Sequence, residues 1–92
     1  MDVVPWTELC LVCGHWEDGE EFHHPTGDPL YVICERCGCE SGIDDYRPAE
    51  LIRSRERWLT SDRARRFPRD QLDADISRVP RRFVQRKPFW RK

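Results

Sequence analysis

The chain has little of what builds a large apolar core or a membrane span. Only 38% of its 92 residues are apolar against 36% charged, and no segment approaches the ~20 consecutive apolar residues of a spanning helix. A membrane partner is therefore not expected. The opening Met1-Asp2-Val3-Val4-Pro5-Trp6 has neither a basic start nor an apolar run, so it does not read as an export signal, and the expected compartment is the cytoplasm. Motifs of catalysis are missing too: there is no phosphate-binding glycine loop, no Gly-x-Ser-x-Gly elbow and no His-Glu-x-x-His. The chain is not expected to be an enzyme. Its length suits one small domain, or a smaller one with an extension, and folded cores below about 80 residues commonly lean on a metal or on disulfides.

Such a staple is written between residues 10 and 45. Cys10-Leu11-Val12-Cys13-Gly14 and Cys34-Glu35-Arg36-Cys37-Gly38 are two copies of one pattern, and no other internal repeat is present. A tight turn carrying Cys-x-x-Cys aims two sulfurs at a point about 2.3 Å away, and two facing turns complete a tetrahedron around zinc. Gly14 and Gly38 suit a turn position with positive φ, which glycine reaches without steric cost. Cys10, Cys13, Cys34 and Cys37 are thus expected to hold one structural zinc ion. Iron in a rubredoxin-like centre obeys the same spacing and stands second. An odd total of five cysteines suits four ligands plus a spare better than it suits disulfides, and Cys39 is the expected spare.

The elements follow from local pattern. Trp6 to Leu9 reads as a short strand entering the first turn, with His15 and Trp16 leaving it, so that the turn tips a hairpin. His15 is expected to support the cysteines from close by. Residues 17–29, with no apolar period and the turn signals Pro25-Thr26-Gly27-Asp28-Pro29, read as a loop in which His23 and His24 are solvated. Leu30-Tyr31-Val32-Ile33 is the clearest strand, and Cys39 to Ile43 should return beside it, with Gly42 at a bulge or bend and Asp44-Asp45 in a polar turn. A helix over about 48 to 60 follows, started by Pro48 and Glu50, with Leu51, Ile52, Trp58 and Leu59 on one face and Arg57 at the rim. Leu72, Ile76, Val79 and Phe83 repeat at helical spacing, which predicts a second helix around 69 to 79 stopped by Pro80.

Charge divides the chain. Residues 1–50 carry twelve acidic and two basic side chains, residues 51–92 five acidic and fourteen basic, a split of −10 against +9. The halves attract each other, or the basic part serves an anionic partner. Residues 81–92 hold six basic side chains, no acidic one, and Phe83, Phe89 and Trp90 between them. Arg78, Arg81, Arg82, Arg86, Lys87, Trp90 and Arg91 are the candidates for partner contact, since arginines interleaved with aromatics suit phosphates and stacked bases as well as an acidic protein face.

The run Tyr31 to Asp45, the upstream Cys10-x-x-Cys13-Gly14 and the downstream Arg57-Trp58-Leu59 resemble the small bacterial cysteine-rich proteins of the zinc-ribbon, CPCC-like type, over about residues 8–67. Leu11 and Glu35 stand where that pattern has proline, and the arginine-rich stretch after Phe67 lies outside it. The resemblance implies a bacterial or phage protein with a zinc-ribbon core, the four cysteines above as ligands, and a group not known for enzymatic activity, some members of which are similar to immunity or toxin-associated proteins.

The expected fold is accordingly α+β: a zinc ribbon of two short β-hairpins over residues 1–46, a packing helix region over 47–67, and a basic helical or disordered extension over 68–92. The expected role is a non-enzymatic interaction module for a protein partner, an immunity-like or regulatory adaptor. Nucleic-acid binding through the basic extension and iron electron transfer are the alternatives.

Overall fold

The computed structural model describes residues 4–84. Its longest helix begins at a proline. A residue before proline is driven out of the α conformation, and Arg47 is extended at φ −129°, ψ 157°, so α1 starts next to it and runs Pro48–Leu59. Glu50 in the first turn and Arg57 in the last carry the signs that the helix dipole favours. The buried face is Leu51, Ser54 and Trp58, while Ile52 and Leu59 are half-buried. Hydroxyls end the helix: Thr60 Oγ1 donates to the Glu56 carbonyl at 3.1 Å, and Ser61 Oγ to that of Trp58 at 2.6 Å. Ser61 Oγ then accepts the Ala64 N–H at 3.2 Å, which opens a 3₁₀ turn over Ala64–Arg66.

Helix α2, Arg69–Ser77, follows the extended Pro68. The apolar period predicted for it is realised through and beyond its end. Leu72 and Val79 are buried, Ile76 and Phe83 half-buried. Past Ser77 the chain keeps turning, with Arg78 and Val79 N–H donating to the carbonyls of Asp75 and Ile76, and a 3₁₀ turn over Arg81–Phe83 follows Pro80.

The expected zinc ribbon of two β-hairpins is not what forms. Among the described residues there are two α-helices and no strand or sheet, only the isolated antiparallel bridges Leu9↔Trp16, His23↔Pro29 and Ile33↔Glu40. Trp6–Glu8 is a 3₁₀ turn, not a strand. The run Leu30 to Ile33 fails as a strand because Tyr31 sits at φ 57°, a left-handed conformation that ends the pleat. Leu30, Tyr31 and Ile33 consequently face solvent at 43%, 58% and 62% exposure, and only Val32 turns inward. On the return side Glu40 N–H donates to Asp44 Oδ2 at 2.8 Å and Gly42 N–H to Asp45 Oδ1 at 2.7 Å. These carboxylates take the donors a ladder would have used. Gly42, at φ 89°, lies in that turn, which is the bend and not the bulge of the two expected there.

Two apolar clusters lie behind the cysteine turns. The larger joins Cys10, Val12, Cys13, Phe22, Cys34, Trp58, Ala64 and Leu72, and the smaller joins Leu11, Leu51 and Val79 with Phe83 and Val84. Leu11 and Val12 divide between the clusters at 2% and 1% exposure, each burial contributing about 1.5–3 kcal/mol. The same two positions in the second turn are Glu35, exposed, and Arg36, half-buried. One turn is therefore internal and the other peripheral, although their sequences have the same spacing.

Asp75 ties them to α2. It is 3% exposed, and its carboxylate accepts from Arg36 Nη1 of the second turn at 2.5 Å and from Arg78 Nη2 at 2.6 Å. Arg36 also lies over the Phe67 ring, 4.8 Å from its centroid. Removing one member of a buried charge group strands the others, so Asp75→Ala is expected to lower unfolding free energy by about 3–5 kcal/mol. Urea melts measure this, and a loss under about 0.5 kcal/mol would make the triad no more than a surface pair.

Candidate metal centre

Each cysteine turn closes in the same way. Cys10 N–H donates to His15 O at 2.9 Å and Gly14 N–H to Cys10 O at 2.7 Å; Cys34 N–H donates to Cys39 O at 2.9 Å and Gly38 N–H to Cys34 O at 2.8 Å. Gly14 and Gly38 share a φ of 78°, so the doubled sequence is a doubled conformation.

The turns face each other and bring four sulfurs together. Cys10 Sγ is 3.6 Å from Cys37 Sγ and Cys13 Sγ is 3.7 Å from Cys34 Sγ, and the sulfurs of all four lie within 4.8 Å of one another. These separations exclude disulfides, whose sulfurs sit at about 2.05 Å. They match another geometry. Four sulfurs at ~2.3 Å around one centre form a tetrahedron whose edges are about 3.8 Å. Cys10, Cys13 and Cys34 are 4%, 0% and 1% exposed, and Cys37 is half-buried at the rim.

The electrostatics of the four sulfurs are unequal. Hydrogen bonds from Cys10 first, then Cys13 and Cys37, hold Cys34 far below the ordinary thiol range. Cys10, crowded by Cys13 and Cys34, and Cys37, crowded by Cys10 and Cys13, are pushed far above it. One thiolate is stabilised by its neighbours, and further charges repel it. A positive ion among the four sulfurs would offset that repulsion.

A positive side chain stands nearby. Arg55, half-buried on α1, donates from Nε to Val12 O at 2.9 Å and from Nη2 to Leu11 O at 2.6 Å, clamping the backbone of the first turn. Burial pulls Arg55 down from its ordinary value, and charge on Cys10 and Cys13 pulls it back. Arg55→Met keeps the stem and removes both hydrogen bonds. It is expected to weaken metal retention about tenfold, the low end for groups that orient a ligand turn, as read by competition with a chromogenic chelator. Unchanged retention would reduce Arg55 to packing.

The other singled-out residues fall as follows. Cys39 is half-buried beside the larger cluster and stands outside the quartet, its thiol lowered chiefly by Cys37. His15 supports the site through its backbone carbonyl, while its ring lies 3.4 Å from Glu17 Oε1. His24 is exposed, but His23 is not solvated as expected: it is 6% exposed, with Nε2 3.6 Å from Asp45 Oδ2. Trp58 covers the cysteines from α1 at 3% exposure, and Arg57 is exposed at the rim. Among the partner candidates, Arg78 is engaged with Asp75 and reaches Gly14 O at 3.4 Å; Arg82 lies over the Phe83 ring at 4.7 Å; Arg81 is exposed. Arg86, Lys87, Trp90 and Arg91 lie outside the described residues.

Sequence reasoning missed Arg55 and Asp75. A signal for Asp75 was present, since it lies three residues past Leu72 and four before Val79 and so shares their helical face. The chain has no helix long and apolar enough to cross a membrane among its described residues. Comparison with protein families, with curated proteins and with solved structures finds no match.

Proposed function

We propose that the four thiolates hold one zinc ion as a closed structural centre, and that the chain is a non-enzymatic module that binds a protein partner. The observation that carries the metal reading is the quartet itself: sulfur separations of 3.6 and 3.7 Å in two turns of identical closure. Four protein ligands leave a tetrahedral ion no open position for substrate, which favours a scaffold over catalysis. Zinc is preferred to iron because it has no redox chemistry to protect and suits four thiolates equally well.

Protein is preferred as the partner because the surface beside the second turn is apolar. Leu30, Tyr31, Ile33, Ile43 and Tyr46 are all exposed, within a half of the chain whose net charge is −10. An immunity-like or regulatory adaptor would use such a face. Nucleic acid is the second reading, supported by exposed Arg63, Arg65, Arg66 and Arg69 around the turn between the helices. Elemental analysis of purified chain is expected to give one zinc and no colour; iron with visible absorbance would overturn zinc. Tagged chain in its native host is expected to retain a protein that rebinds when purified, with nuclease treatment making no difference. Recovery of nucleic acid alone, with affinity falling steeply in salt, would replace this reading by the second.

A further inference from the structure

A cavity of about 200 Å³ lies between the turn Trp6–Glu8, the turn following Ser41 and the turn Arg81–Phe83; Leu11 of the first cysteine turn lines it, but none of the four cysteines does. Three of its walls are aromatic: Trp6, Tyr46 and Phe83. The Trp6 and Phe83 rings are 5.2 Å apart and tilted by 39°, which makes a wedge and not a parallel slot. The cavity also contains an acid. Asp45 lines it with a side chain only 4% exposed, its Oδ1 accepting the Gly42 N–H at 2.7 Å.

This carboxylate is short of partners. Oδ2 is 3.6 Å from His23 Nε2, beyond hydrogen-bond length, and His23 brings a charge only when protonated. His23 Nδ1 is itself buried without a hydrogen bond. Among the described residues no arginine or lysine pairs with Asp45, although Arg82 lies over Trp6 and Phe83 and Arg47 over Tyr46. The rings thus already attract cations, and among the described residues only His23 stands within ion-pair distance of the buried carboxylate. A buried carboxylate with so little counter-charge is unfavourable, and a cation lodged in the cavity beside the rings would be held by them and by the carboxylate together.

We propose that the Trp6–Tyr46–Phe83 cavity, with Asp45 at its base, is a binding site for an alkylammonium group presented by a lysine side chain, methylated or not, of the protein partner. The guanidiniums of Arg82 and Arg47 already lie over these rings, so the space left beside the carboxylate suits a compact ammonium better than a further planar guanidinium. The acidic first half favours a basic segment around that lysine, and exposed Tyr31, whose ring would lie 2.8 Å from a Cβ placed at Gly42, continues the surface at the mouth.

The inference rests on the protein-binding reading for its source of lysine, yet it can be tested without the partner. Full-length chain, with one metal per chain verified, is titrated by NMR with the Nα-acetyl methylamides of lysine, trimethyl-lysine and norleucine. The two cations are expected to shift the Gly42 amide and the Trp6 indole signals at millimolar concentration, and norleucine to leave them. Asp45→Asn, which keeps an acceptor for Gly42, is expected to weaken cation binding at least about tenfold. Tyr46→Ala, at a side chain 66% exposed where folding is not at risk, is expected to weaken it about threefold or more. Equal binding of norleucine, cation binding indifferent to both substitutions, or no shift at either signal would overturn the site. Such a failure would leave the capture of a protein partner standing as a separate result.

Discussion

Chelating the proposed zinc is expected to abolish the chain's cooperative unfolding transition. Besides the packing of both turns on α2 through Asp75, backbone pairing does little to hold them face to face, because each is closed by a single bridge and neither extends into a ladder. The larger core is itself partly made of the proposed ligands: Cys10, Cys13 and Cys34 are three of its buried members. Structural zinc in such turns contributes about 10–16 kcal/mol of apparent free energy, whereas domains of this size are stable by about 5–15 kcal/mol in total. Losing the first exceeds or matches the second. Circular dichroism in the presence of a strong chelator and a reductant should therefore show a broad, uncooperative melt, and zinc added back should restore the sharp one. Cys13→Ser should reproduce the chelator, because Cys13 is 0% exposed and its replacement leaves a gap in the quartet that water cannot easily fill. Cys37→Ser, at the half-buried rim, should retain metal with reduced affinity. A chelated, reduced chain that melts as sharply and at the same temperature as the untreated one would remove the centre from the account of stability.

How far the fold could be read in advance depended on whether the deciding contact was local. The turns were legible because Cys-x-x-Cys-Gly fixes its own hydrogen bonds within five residues, and the quartet was legible because two such turns have one economical way to share an ion. α1 was legible from Pro48, which sets its first residue, and from Glu50 behind it. The ribbon was not. β-propensity in Leu30 to Ile33 expresses a preference for a pleated, half-buried surface, and here no second strand was available to offer one. Tyr31 turned left-handed instead, and Ser41, Asp44 and Asp45 took the backbone donors on both sides. The burial of His23 depended on a partner twenty-two positions away, and Arg36 met Asp75 across thirty-nine. Such pairings leave no periodicity. The charge split was visible in the sequence, but among the described residues the ion pair that joins the halves, Arg36–Asp75, takes its cation from the acidic half and its anion from the basic one.

The second large effect concerns a residue with no side chain. A Cβ built on Gly14 would lie 2.0 Å from the carbonyl oxygen of Asp75 and 2.8 Å from the nitrogen of Ile76, both backbone atoms of α2. Backbone cannot rotate out of the way, so Gly14→Ala must drive α2 off the first turn. The movement would also pull Asp75 from Arg36 and take Leu72 from the core it shares with Cys10 and Cys13. Added to it is the strain of a φ of 78°, about 1–2 kcal/mol for a residue with a Cβ. A total loss of about 4 kcal/mol or more in unfolding free energy is expected, overpacking of this kind alone costing about 1–3 kcal/mol. Gly38 supplies the control. It has the same φ and the same place in its turn, but a Cβ there meets only the tip of the Arg63 side chain, at 3.2 Å. Gly38→Ala should thus lose little beyond the conformational strain, and Gly19→Ala, with positive φ and nothing within 4 Å, about as much. Denaturant melts of the three variants separate strain from collision, since only Gly14→Ala contains both. Equal losses at Gly14 and Gly38 would mean that α2 does not rest on the first cysteine turn, and the arrangement of both cores described above would have to be redrawn.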